Sequence, residues 1–251
     1  EILITGGSRG IGLATARAFL AEGARVAIVA RDPARLAEAA AGLAAAGGAP
    51  VAHMAVDFTA PDAADRVMAW RSGVDILVNC AGAIPSNTLL TLDEAVWHST
   101  WEAKVFNYIR MMRGLYPHMK ARGGGVMINV IGAGGEAPQW NYLIGSAGNA
   151  ALMAATRAVG GRSTDDNIRV VGVNPGAIAT DRLIELARQR AALAGRDPAT
   201  HDWREDFRRH PFGRPGKPEE VADVIAFLAS PRAGYISGTV VTIDGGMRHR
   251  Q

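Results

Sequence analysis

Short runs of β-branched and apolar residues alternate along this chain with longer Ala-rich stretches whose apolar positions recur at helical spacing. Seven runs read as buried strands: 2–5, 25–30, 51–56, 74–79, 126–131, 168–173 and 239–243. Strands separated by helices need crossover connections. The pattern therefore predicts an α/β domain with one parallel sheet of about seven strands and helices on both faces. Right-handed crossovers line up the strand carboxyl ends along one rim, where ligands bind in such sheets. Helix punctuation agrees. Asp32 before Pro33 reads as an N-cap with proline at the first helical position, Thr91 with Glu94 spells a capping box, and Gly23 closes the first helix.

Two stretches depart from the simple alternation. From 91 to 122 the pattern is one long helix, with Trp97, Trp101, Val105, Tyr108, Met112 and Leu115 in an apolar stripe. Core packing is the first explanation, and contact with another subunit, shared with the helix starting near Asn141, is the second. Near 181–212 an Arg-rich insertion carries Leu183, Ile184, Leu186, Leu193 and Trp203 without a strand candidate. It reads as a helical lid over the ligand rim. Its arginines (Arg182, Arg188, Arg190, Arg196, Arg204, Arg208 and Arg209) either attract an anionic substrate or form a solvated face.

Composition narrows the class. The chain has 251 residues, 48% apolar and 20% charged, which fits one large domain and excludes disordered and fibrous chains. Lys and Arg number 27 against 24 Asp and Glu, and a net charge of +3 is too small to mark a nucleic-acid surface. The single cysteine, Cys80, rules out an internal disulfide framework, so a reducing, cytoplasmic setting is expected. No apolar run is long enough for a membrane-spanning helix, and the opening residues read as a strand rather than a signal peptide. The six histidines show no metal-ligand spacing; His98 and His118 read as helix residues, and no metal is expected. With no partner base in view, Cys80 reads as an inert thiol.

Chemistry first appears after the first strand, in Thr5-Gly6-Gly7-Ser8-Arg9-Gly10-Ile11-Gly12. Glycines allow a tight turn and close backbone approach, and unpaired amides at the following helix start attract a pyrophosphate. The second strand ends in Ala30-Arg31-Asp32. An NAD-selective site places a carboxylate at that strand end, where Ala30 stands here. Arg31 and Arg9 suit a 2′-phosphate instead, so NADP(H) is favoured over NAD(H); solvated arginines are the bland alternative, which Asp32 keeps open.

With these motifs the sequence resembles the short-chain dehydrogenase/reductase family over nearly its whole length. The resemblance rests on the Gly-rich turn, Asp57, Asn79-Cys80-Ala81-Gly82, Asn174-Pro175-Gly176 with Thr180, Phe212-Gly213-Arg214 before Pro218-Glu219-Glu220, and Ile243-Asp244-Gly245-Gly246. It implies a doubly wound Rossmann-type sheet, a nicotinamide cofactor and a homodimer or homotetramer. Together with the turn and the two arginines, it makes the candidate cofactor-binding residues Gly6, Ser8, Arg9, Gly10, Ile11, Gly12, Arg31, Asp57, Phe58, Asn79, Ala81, Gly82, Pro175, Gly176, Ile178 and Thr180, with Asn79 to Gly82 supporting the cofactor cleft. Asp57 would meet adenine, and Ile178 with Thr180 the nicotinamide carboxamide.

The family's catalytic set is a Ser after the fifth strand, a Tyr with a Lys four residues later, and an Asn on the long helix. Tyr142 matches the Tyr. Ser146 occupies the Lys position, Gly132 the Ser position and Lys104 the Asn position, so the chain resembles a divergent branch. Taking a phenol from its usual pKa of about 10 to 7 requires roughly 4 kcal/mol in favour of the phenolate. A cation about 4 Å away supplies about that much at an effective dielectric near 20. Lys104 is the candidate, moved from the Tyr helix to the long helix.

The expected function is an NADP(H)-dependent oxidoreductase that interconverts a small-molecule carbonyl and a secondary alcohol, with Tyr142 as general acid and base. Two other classes remain open: a cofactor-binding protein without redox turnover, and a non-redox enzyme on the same scaffold. Trp140 either lines the substrate pocket or packs the loop.

Overall fold

In the computed structural model, seven strands pair in parallel: β1 (Ile2–Thr5), β2 (Val26–Ala30), β3 (Ala52–Ala55), β4 (Ile76–Asn79), β5 (Gly125–Val130), β6 (Ile168–Pro175) and β7 (Val240–Ile243). Residues 1–47, 49–193, 195–197 and 199–250 are described, without the side chains of 186, 189, 190, 192 and 193. The strand order is β3-β2-β1-β4-β5-β6-β7. The chain winds outward from β1 to β3, then restarts at β4 and winds the other way. This makes β1 and β4 the switch point where crossovers diverge and leave a crevice. Thr5 is in register with Asn79, and Asn79 with Asn129, so the strand ends meet at one rim.

Alternation of side chains along each strand feeds two cores. Ile2, Ile4, Ile28, Val78, Ile128, Val171 and Val173 pack with α1 (Gly10–Ala21), α2 (Pro33–Gly47) and α8 (Pro218–Ala229) on one face. Leu3, Ala27, Val29, Leu77, Met127 and Val170 pack with α3 (Ala63–Arg71) and α5 (Asn107–Ala121) on the other. The remaining helices are α4 (Glu94–Trp101), α6 (Leu143–Arg162) and α7 (Asp181–Leu193).

Four local expectations change. The two edge strands are not buried: half-buried and exposed positions alternate along β3, and β7 is half-buried throughout. Thr91 and Glu94 form no capping box. Thr91 instead closes a short turn with Thr88, and α4 is capped by Asp93, whose carboxylate accepts the amides of Ala95 and Val96. The long helix is three pieces, because a π-helical turn at Glu102–Phe106 separates α4 from α5. Such a turn inserts an extra residue and re-aims the side chains on it. Lys104 and Val105 are its two buried residues. The apolar stripe is core packing at Val105, Tyr108, Met112 and Leu115, which are buried. Trp97 and Trp101 are half-buried and meet edge to face.

Asp32 caps α2, its Oδ1 accepting the amides of Ala34 and Arg35, and α1 ends with Gly23 at φ 78°.

Candidate active site

The loop from β1 into α1 is shaped by what its glycines leave out. A Cβ on Gly6 would lie 2.9 Å from the backbone of Ala81, and one on Gly12 would collide with the Gly6 carbonyl. Backbone therefore packs on backbone at the switch point. Thr5 locks this arrangement, its Oγ1 accepting the amides of Cys80 and Ala81 at 3.0 and 3.1 Å. Arg9 precedes α1 in extended conformation without a side-chain cap, and the first turn of α1 has no acid. Such a helix start presents free amides and positive potential, which suits a pyrophosphate. Thr180 closes over it, with Cγ2 3.2 Å from a Cβ position on Gly10.

The other cofactor candidates divide by exposure. Ser8 and Gly10 are half-buried on the turn, and Arg9, Arg31 and Asp57 are exposed along the open rim. Asp57 is engaged by Thr59, whose amide and hydroxyl both donate to its Oδ1. The Phe58 side chain belongs to the core, which leaves only its backbone for a ligand. Asn79 is fully buried beneath the rim and donates from Nδ2 to Asn129 Oδ1 at 3.0 Å, so it supports the cleft from below.

Beside the Gly-rich turn, a cavity of 1030 Å³ opens at the carboxyl ends of β4, β5 and β6. Ile11, Gly82, Lys104, Gly132, Tyr142, Pro175, Gly176 and Ile178 all line it. Ser146 is not among its lining residues. It is buried at the start of α6, where its Oγ accepts the amide of Gln139 at 3.2 Å. Trp140 is 65% exposed and also absent from the lining.

The insertion near 181–212 covers this cavity with Arg182, Leu183, Phe207, His210, Pro211 and Phe212. Of its other expected members, Leu186, Arg190 and Leu193 lie outside the described side chains. Ile184 and Trp203 are half-buried, and Arg188 and Arg209 are exposed. Arg196, Arg204 and Arg208 pair with the lid's own Asp206, Asp202 and Glu205. Arg182 alone among the described lid arginines lines the cavity, and it donates to the Ile84 carbonyl.

Electrostatics in the cavity are set by burial. The Lys104 ammonium donates to the Ile131 carbonyl at 2.6 Å and to Asn149 Oδ1 at 3.0 Å. Desolvation lowers its pKa to about 8. The expected lowering of the Tyr142 phenol by Lys104 is not what the structure gives: burial pushes the phenol above its ordinary value, and the cation that pulls it back down is the Arg182 guanidinium. Among the described residues the Tyr142 hydroxyl has no hydrogen-bond partner; its ring lies against Gly145 and Gly134. Cys80 is pushed up to about 12 by burial, against the pull of Lys104, which leaves its thiol protonated and unreactive. Among the described residues no group of His, Cys, Asp or Glu could hold a metal ion, and no helix is long and apolar enough to cross a membrane.

Several of the resembling motifs serve the frame. Arg214 and Glu220 form a two-pronged ion pair at 2.8 and 2.6 Å, and Asn174 Oδ1 accepts the Gly132 amide. Asp244 accepts the amides of Gly246 and Arg248. Sequence reading passed over Asn149. The signal was an asparagine, a poor helix former, in the Ala- and Gly-rich stretch of α6.

The family model described as enoyl-(acyl carrier protein) reductase matches residues 6–248. The L-sorbose reductase of Gluconobacter frateurii, solved with NADPH and L-sorbose, superposes with a TM-score of 0.90 at 37% identity, covering 100% of this chain and 97% of that one. The galactitol 2-dehydrogenase (L-tagatose-forming) of Cereibacter sphaeroides is 33% identical over 97% of this chain and 92% of its own length. A 3-oxoacyl-[acyl-carrier-protein] reductase of Vibrio cholerae is 33% identical over 98% and 96%. On this likeness, and on a doubly wound sheet with its ligand rim at the switch point, the chain belongs to the short-chain dehydrogenase/reductase family of oxidoreductases.

Proposed function

We propose that this enzyme is an NADP(H)-dependent oxidoreductase that interconverts a ketose-like carbonyl and its secondary alcohol, with Tyr142 as general acid and base assisted by Lys104. The observation that carries this is a shared cavity: Tyr142, Lys104 and Arg182 all line it, beside the Gly-rich turn. The polyhydroxylated substrate class is drawn from the sorbose reductase and galactitol dehydrogenase relatives.

The cofactor-holding residues are those of the turn, with Asn79 to Gly82 below and Pro175 to Thr180 beyond. Preference for NADP(H) is supported at the end of β2, where Asp32 is spent on capping α2 and Arg31 is exposed beside it. When bound, the cofactor supplies the hydride that reduces the carbonyl carbon.

Tyr142 supplies the proton. Burial keeps its phenol protonated near neutrality, ready to donate to the developing alkoxide, and Arg182 stabilises the phenolate left behind. Lys104, held by two carbonyl oxygens, keeps a second positive charge in the cavity. In this reading Gly132 and Ser146 stand at the family's Ser and Lys positions, and the charge that acts on the phenol is the Arg182 guanidinium of α7, with Lys104 of the π-helical turn a second cation lining the same cavity. The half-exposed apolar residues Val96, Phe106 and Ile109 along α4 to α5 suit a homodimer or homotetramer, which light scattering tests.

NADPH oxidation with L-sorbose and L-tagatose is the direct test. Tyr142→Phe is expected to abolish it and to leave NADPH affinity within about twofold of wild type; an unchanged rate rejects Tyr142 as the acid. Tight NADPH binding by wild type without oxidation would mark a cofactor-binding protein instead. Ketose conversion without a change in cofactor absorbance would mark a non-redox enzyme.

A further inference from the structure

We infer that Asn149 of α6 donates the hydrogen bond that orients the substrate carbonyl, in place of a hydroxyl that Gly132 cannot supply. This rests on the proposed carbonyl chemistry and adds to it a donor that the sequence reading passed over.

The orientation of the amide follows from its partner. A lysine ammonium only donates, so the atom 3.0 Å from Lys104 Nζ must be the amide oxygen, and Nδ2 faces the other way. Asn149 is 1% exposed and lines the cavity. Its Nδ2 has no hydrogen-bond partner among the described residues, yet it is not one of the sealed, unpaired polar atoms such as those of Asn107. It therefore opens on the cavity.

Its location is telling. A Cβ built on Gly132 would lie 3.0 Å from Asn149 Nδ2, so the amide nitrogen borders the space that a side chain on Gly132 would enter. A Cβ built on Gly134 would lie 3.7 Å from the same nitrogen and 3.2 Å from Cδ1 and Cε1 of Tyr142. The donor and the phenol ring thus border one small volume above the Gly132–Gly135 turn. Gly132 has φ 130° and ψ 139°, a conformation that disfavours a side chain. Lys104 is a positioning residue here: it pins Oδ1 and leaves both Nδ2 protons for the ligand.

Asn149→Asp tests this. The aspartate keeps an oxygen for Lys104 and replaces the donor with an acceptor of nearly the same shape. With L-sorbose and L-tagatose, kcat is expected to fall about 100-fold with KM changed less than threefold, because the bond strengthens as charge develops on the oxygen. NADPH affinity, read by fluorescence, stays within twofold. Asn149→Ala gives the same kinetic loss and serves if the aspartate variant does not fold. Either variant with wild-type NADPH affinity and kcat within threefold of wild type overturns the inference alone. A wild-type chain that binds NADPH but oxidises it with neither ketose overturns the proposed function, and this inference with it.

Discussion

The aliphatic stem of Lys104 lies where a side chain on Gly82 would stand: a Cβ there would be 2.8 Å from Lys104 Cβ and 2.9 Å from its Cγ. The end of β4 and the π-helical turn are thereby fitted to each other, and the buried ammonium depends on a residue 22 positions earlier in the chain. Gly82 also has φ 123°, which an L side chain rarely adopts. Gly82→Ala is expected to cost about 1–3 kcal/mol in backbone strain alone and to push Lys104 out of place. Chemical denaturation reads the first effect, and loss of ketone-dependent NADPH oxidation reads the second.

Lys104 makes stability depend on pH. Its pKa is about 8 in the folded chain against 10.5 for a free lysine, so between these values the unfolded chain binds more protons and stability rises with pH. Below about pH 8 the full penalty applies, on the order of 3 kcal/mol. Cys80, pushed up to about 12 from 9.0, acts in the opposite direction above pH 9, so the clean window lies below that. Wild type should gain about 1 kcal/mol on Lys104→Met between pH 7.5 and 9, measured by urea denaturation. A constant difference would mean that the amine is not held as a buried cation.

Tyr142 predicts opposite pH behaviour for the two reaction directions. Its phenol titrates above the ordinary value of 10.0, so reduction, which uses the protonated form in the proposed mechanism, should show no alkaline loss from this group below pH 9. On the proposed mechanism, oxidation of the alcohol needs the phenolate and should climb through pH 10 without a plateau. Arg182 is the cation that pulls this pKa down. Arg182→Met is therefore expected to move the rising limb upward and to slow oxidation at pH 9 about tenfold. Stopped-flow rates in both directions check this.

In the proposed function, cofactor choice turns on the exposed end of β2. With Asp32 held at the start of α2, removing the positive charges should weaken only the phosphorylated dinucleotide. The double substitution Arg9→Ala and Arg31→Ala is expected to raise the NADPH dissociation constant at least tenfold and to leave that of NADH within twofold. Equal losses for both would assign the arginines to the shared pyrophosphate instead.

Periodicity and punctuation determined the architecture. Alternation of short apolar runs with Ala-rich helices requires crossovers, and the resulting sheet has seven strands with ends within two residues of those expected. The Gly-rich turn and the residues after each strand were legible because their work is local: a turn, a cap or a strand end is decided by neighbouring residues. Tertiary structure decided what lies between distant segments. The π-helical turn at Lys104, which packs against α6, is of this kind. Likewise, the family register made Ser146 and Lys104 candidates, but only packing ties Ser146 to Gln139 and hands the ammonium to Ile131 and Asn149. Hydrophobic pattern is a property of the chain read in order. The environment of one buried charge depends on which groups surround it, and those arrive from segments far apart in the chain, among them Cys80, Ile131, Asn149 and Arg182.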